Sequence, residues 1–181
     1  SCVGLVPGAV YTARQLLDAL LMVSGNDAAN ALADMVGGYR VAVQKMNFKA
    51  AQLGARNTRA GSPSGLDGPG WESVTTAHDL AVIYRAALNY PLFTQIIHQS
   101  TAAFPDGRGG VKQIASHDRL LPDYPGFIGG KTGYTNLAKE TYVAMAQRGG
   151  TRLVAVMMYG SDDLWDQGRA LLDWGFSQSG Q

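Results

Sequence analysis

A chain of 181 residues that is 46% hydrophobic and 16% charged is long enough to bury a core of ordinary size and too apolar for a disordered tail. Its net charge of +1, with no run of lysine and arginine, argues against a phosphate-tracking surface, so nucleic acid is not expected as a partner. The longest apolar runs are about ten residues, too short for a membrane helix, and residues 1–10 do not read as a secretion signal.

Thr12-Ala13-Arg14-Gln15 has the form of a capping box, with glutamine three positions after a threonine cap. The leucine-rich run that follows predicts a largely buried helix up to Val23, stopping at Ser24-Gly25-Asn26. A second helix starts there, with Asn26 or Asp27 as its cap, and runs to Gly37-Gly38; a third covers 41–52. Residues 54–75, rich in Gly, Pro, Ser and Asn, read as a long loop, which in a compact domain is functional or mobile. Thr76 with Asp79 forms a second capping box for a helix over 76–89, and Pro91 opens a short helix over 91–98.

The second half changes character. Pro105-Asp106-Gly107 is a turn signal between two short strand-like runs, 101–104 and 111–115, that can pair as a hairpin. Further strands are predicted over 127–134, 141–147 and 152–159. The last is nearly all apolar, as a strand covered on both faces should be. An amphipathic helix over 164–176 follows. Helices first, then an antiparallel sheet with a packing helix, is an α+β arrangement. The reading is one domain over 1–181, with a helical lobe over 12–98 and the sheet with its last helix over 100–176. Cys2 is the only cysteine, too little to read a compartment from. His78, His98 and His117 lack metal-ligand spacing, so no metal is expected, nor any cofactor, and His117 is expected to make structural hydrogen bonds.

Two short patterns carry chemistry. Ser24-Gly25-Asn26 lies in the turn between two helices, and Lys131-Thr132-Gly133 lies on a strand behind Gly129-Gly130. Each alone is weak: the first reads equally as helix punctuation, the second as a solvated strand face. In this order they match two of the three motifs of penicillin-binding proteins, Ser-x-x-Lys, Ser-Asp-Asn and Lys-Thr-Gly, with Gly25 in place of the middle aspartate. The surrounding runs agree: Tyr11-Thr12-Ala13-Arg14-Gln15, Ser62-Pro63-Ser64-Gly65-Leu66-Asp67, His117-Asp118-Arg119-Leu120-Leu121 and Leu172-Asp173-Trp174-Gly175-Phe176. Over essentially its whole length the chain resembles the serine D-alanyl-D-alanine carboxypeptidases, the low-molecular-mass penicillin-binding proteins.

That resemblance implies a DD-peptidase/β-lactamase-like fold and hydrolysis of the terminal D-Ala-D-Ala bond of peptidoglycan stem peptides through a serine acyl-enzyme. It also implies inhibition by β-lactam antibiotics and a place outside the cytoplasmic membrane. Acyl transfer needs an activated hydroxyl, a proton route and oxyanion donors. By resemblance Ser24 relays protons, Asn26 orients the base and holds the substrate's peptide group, and Lys131 favours the anionic transition state. Thr132 and Thr135 bind the substrate carboxylate, Gly133 lets the extended substrate lie close, and the Tyr134 N–H donates to the oxyanion.

No serine among the 181 is followed three residues later by lysine. The nucleophile and base are therefore expected upstream of Ser1, and the chain alone is expected to be inactive and poorly stable. Two departures stand out: Gly160-Ser161-Asp162-Asp163-Leu164 holds no arginine for the carboxylate, and Ala138-Lys139-Glu140 replaces a small-residue pattern. A DD-endopeptidase would use the same residues, and a binding-only relative would need none of the chemistry. A β-lactamase fits less well, since the loop has no Glu-x-x-Leu-Asn.

Overall fold

The structure, a computed structural model, describes residues 1–160 and 163–179. An extended segment leads to α1 (Ala13–Val23), α2 (Asn26–Met35) and α3 (Tyr39–Gln52). The Thr12 box forms in full: its hydroxyl accepts from the Gln15 N–H at 3.2 Å, and Gln15 Oε1 accepts from the Thr12 N–H at 2.9 Å. That satisfies two donors that every helix start leaves free. At α2 the cap is Gly25, with no side-chain bond, and Asn26 is the first helical residue. The Asp27 carboxylate instead turns outward and accepts from the N–H groups of Val3, Gly4 and Leu5 at 2.9, 2.8 and 3.0 Å. It ties the leading segment to the site's own turn.

The long loop is ordered by side chains. Asn47 brackets Ala60, accepting its N–H at 2.7 Å and donating to its carbonyl at 3.0 Å, and Arg59 bridges to Val74. Then come α4 (Ala77–Ala87), α5 (Pro91–Ile97) and the hairpin β1 (Thr101–Pro105) and β2 (Val111–Ala115). Only half of the Thr76 box forms. Its hydroxyl accepts from the Asp79 N–H at 3.1 Å, while the buried Asp79 carboxylate reaches back to the Asn57 N–H at 2.7 Å and the Thr58 hydroxyl at 3.1 Å. The carboxylate anchors the loop instead of closing the cap.

A second sheet has the order β3 (Phe127–Thr135), β4 (Lys139–Arg148), β5 (Thr151–Gly160), all antiparallel, and α6 (Leu164–Gln178) closes the chain. Alternation along β4 sends its residues to two cores. Tyr142, Ala144 and Ala146 pack with Leu120, Tyr124, Leu164 and Leu172 under α6. Val143 and Met145 pack with Tyr84 and Ile97 under α4 and α5. The hairpin lies on α1, where Phe104 and Ile114 join Leu16, Ala19, Met22 and Ile96 in a third core. The apolar β5 meets α6 and α4, yet it is an outer strand, and its Met158 and Tyr159 stay exposed. Between α1, α3, α4 and α5 runs an apolar groove of about 510 Å³, lined by Leu17, Leu21, Leu53, Ile83, Phe93 and Ile96 among others. No helix among the described residues is long and apolar enough to cross a membrane.

Candidate active site

Ser24 ends α1 in the left-handed conformation, φ 54 and ψ 41. A non-glycine residue there costs about 1–2 kcal/mol, and such outliers gather at functional sites. The turn holds it: the Gly25 N–H donates to the Ala19 carbonyl at 3.0 Å. Beside it, the His117 N–H donates to the Met22 carbonyl at 3.0 Å, fastening the loop after β2 to the end of α1. The hydrogen bond predicted for His117 is thus made by its backbone.

Lys131 approaches from β3, the edge strand. Its ammonium donates to Ser24 Oγ and to the Thr132 carbonyl. The turn between two helices and the strand far along the chain therefore meet in one cleft. Burial pulls the Lys131 ammonium down to about 8, and the buried Asp118 carboxylate opposes that shift. Asp118 lies on the other face of the strand. Its carboxylate accepts the Tyr142 hydroxyl at 2.9 Å and the Leu120 N–H at 3.0 Å, and burial raises its own pKa. Burial also lowers His117, and the Lys131 charge adds to that.

The strand comes this close because it lacks side chains. Gly129 takes φ +151, and a Cβ there would lie 2.6 Å from the Ile97 carbonyl oxygen. At Gly130 a Cβ would lie 2.4 Å from Asp118 Oδ2 and 2.8 Å from the Val143 carbonyl oxygen.

The other predicted site residues divide. Asn26 and Thr132 are half-buried beside Ser24 and Lys131, and neither side chain has a hydrogen-bonding partner among the described residues. Gly133 pairs with Thr141, and Tyr134, 59% exposed, follows it on the edge strand. Thr135 is committed elsewhere: its hydroxyl donates to Asp67 at 2.5 Å and accepts from the Ala138 N–H at 2.9 Å. Asp67 thereby ties the long loop to the end of β3. Sequence reasoning gave it no role, although it closes the Ser62–Asp67 run. Residues 161 and 162, in the stretch noted for its missing arginine, lie outside the described residues, which among themselves hold no cluster suited to a metal.

Comparison with known proteins decides the family. A model of the D-alanyl-D-alanine carboxypeptidases (peptidase S11) matches residues 1–162. The chain belongs to that family. It is 57% identical to the D-alanyl-D-alanine carboxypeptidase DacB2 of Mycobacterium tuberculosis over 100% of this chain and 64% of that protein. The chain thus spans just under two thirds of that curated relative. A crystal structure of a D-alanyl-D-alanine carboxypeptidase from the same organism superposes with a TM-score of 0.94 at 58% identity, covering 98% of this chain and 69% of that one. Penicillin-binding protein D2 of Listeria monocytogenes, in its cefotaxime-bound form, superposes with a TM-score of 0.81 at 29% identity, over 94% and 73%. The DD-peptidase fold expected from the motifs is therefore the fold of this chain.

Within this family fold the lowered Lys131 has a measurable consequence. A depressed lysine keeps its charge below its folded pKa and loses it above. If β-lactam acylation of the protein that bears the nucleophile relies on this cation, it is expected to fall as pH rises through about 8, well below an ordinary lysine at 10.5. Second-order acylation rates over pH 6–10 check this on the protein that bears the nucleophile. Lys131→Arg moves the decline upward, because a guanidinium stays protonated across that range.

Proposed function

We propose that this chain forms two walls of the active site of a D-alanyl-D-alanine carboxypeptidase acting on peptidoglycan stem peptides, outside the cytoplasmic membrane where that substrate lies. The observation that carries this reading is the contact between Lys131 Nζ and Ser24 Oγ, which unites the two motifs in one cleft. In this role Lys131 donates to Ser24 Oγ, so the Ser24 hydroxyl directs its own proton into the cleft. From there it passes a proton to the leaving amine. The unpartnered Asn26 amide holds the substrate's peptide group, and the Thr132 hydroxyl holds the carboxylate. Among the described residues the outer edge of β3 has no partner strand, and it receives an extended peptide as an added strand, with the Tyr134 N–H as an oxyanion donor. Thr135, engaged by Asp67 and Ala138, shapes the strand end.

No Ser-x-x-Lys pair occurs in residues 1–181, so the nucleophile and its base have to be supplied by further sequence. β-Lactams, which mimic the D-Ala-D-Ala end, are expected to acylate the protein that carries that pair. Residues 54–75 present no Glu-x-x-Leu-Asn to activate a hydrolytic water, so release should be slow. A labelled penicillin should therefore survive denaturing electrophoresis in stoichiometric amount. Rapid multiple turnover of penicillin, at rates comparable with D-Ala-D-Ala peptides, would instead make the protein a β-lactamase.

A further inference from the structure

On the Thr132 face of β3, next to the His117 loop that is fastened to the end of α1, lies a cavity of about 500 Å³. Ser116, His117 and Arg119 of the loop after β2, Thr132, Glu140 of β4 and Trp165 of α6 line it. Arg119 and Glu140 carry opposite charges into this space without neutralising each other. Among the described residues neither makes an ion pair or a side-chain hydrogen bond. The Arg119 guanidinium lies over the Trp165 ring, 5.8 Å from its centre. Glu140 is half-buried, and the Thr132 hydroxyl beside them is also unpartnered. Two opposite charges held apart across a cavity suit a ligand that bears both signs itself.

We propose that this cavity binds a free amino acid as its zwitterion, the carboxylate on Arg119 and Thr132 and the ammonium on Glu140. The source of that ligand rests on the carboxypeptidase reading. In acyl transfer the scissile C–N bond breaks, the acyl carbon bonds the nucleophile's oxygen, and the nitrogen takes one proton. On release it takes a second from water, so the departing residue gains an ammonium that the uncleaved peptide lacks. Glu140 therefore favours the released amino acid over the peptide end, and the cavity retains product.

The test is an NMR titration of the full protein with D-alanine, propionate and ethylamine as probes. D-Alanine is expected to shift the Thr132 and Glu140 amides and the Trp165 indole, and to bind about tenfold or more tightly than either half-ligand, as one charged hydrogen bond contributes. Arg119→Gln weakens D-alanine and propionate alike. Glu140→Gln leaves propionate bound and removes the advantage of D-alanine, a split that a structural role for either residue would not produce. Propionate binding as tightly as D-alanine, shifts centred away from the cavity, or unchanged binding in both variants would overturn the assignment. Penicillin labelling reports on the carboxypeptidase reading separately. Labelling without D-alanine binding sinks the cavity alone, whereas D-alanine binding without labelling upholds it and removes the enzymatic reading.

Discussion

Lys131→Ala and Ser24→Ala are each expected to lower carboxypeptidase turnover about a hundred- to ten-thousand-fold, in a protein that joins this chain to a Ser-x-x-Lys pair. Loss of a proton relay costs that much, and loss of a buried stabilising charge costs about a hundred- to a thousand-fold. The reasoning is geometric. Lys131 donates to Ser24 Oγ, so removing either leaves the other without its partner in a cleft that already disfavours charge. Because the two act as a unit, the double variant should be little worse than the poorer single one. Ser24→Ala also places alanine in a left-handed turn. Ser24→Gly is the companion variant, since it deletes the hydroxyl while easing the backbone. Steady-state kinetics on a D-Ala-D-Ala peptide, with circular dichroism as a check on folding, decides the matter. Wild-type turnover in Ser24→Gly or Lys131→Ala would remove these residues from the mechanism.

Residues 1–181 by themselves are expected to take up no covalent penicillin at all. They contain no Ser-x-x-Lys, and two of their serines are already engaged. Ser62, 2% exposed, donates to the Leu66 carbonyl at 2.8 Å, and Ser24 is bound to Lys131. The groove between α1, α3, α4 and α5 adds a physical reason for instability. Its apolar walls form a trough of about 510 Å³ that these residues leave uncovered. By the family resemblance, the nucleophile helix runs through the core. Each medium-sized apolar side chain left in water forgoes about 1.5–3 kcal/mol, against a whole-domain stability of about 5–15 kcal/mol. The isolated chain should therefore self-associate, which sedimentation velocity will show, and intact-mass analysis after penicillin treatment should find no adduct. A stoichiometric adduct on a chain confirmed by mass to be these residues would overturn this expectation, because it requires a nucleophile among them.

Much of this was readable before any fold was known, because local physics writes itself into short stretches. The Thr12 capping box, the Pro91 helix start, the Pro105-Asp106-Gly107 turn and the strand periods all depend on neighbours within a few positions, and each forms in the structure. The two motifs were visible for the same reason, as unbroken runs. What no local pattern carries is which distant residues meet. Asp27 and Asp79 read as helix caps, but tertiary contacts offered both carboxylates better donors: three N–H groups of the leading segment for one, and the loop at Asn57 and Thr58 for the other. For Thr135 no local pattern shows that Asp67, 68 positions earlier, accepts its hydroxyl. Arg119 and Glu140 are ordinary surface charges in the sequence. Only the antiparallel return of β4 beside β3 and the docking of α6 place them across one cavity. Contacts between residues far apart in the chain are set by packing and desolvation of whole elements, and those are properties of the assembled fold.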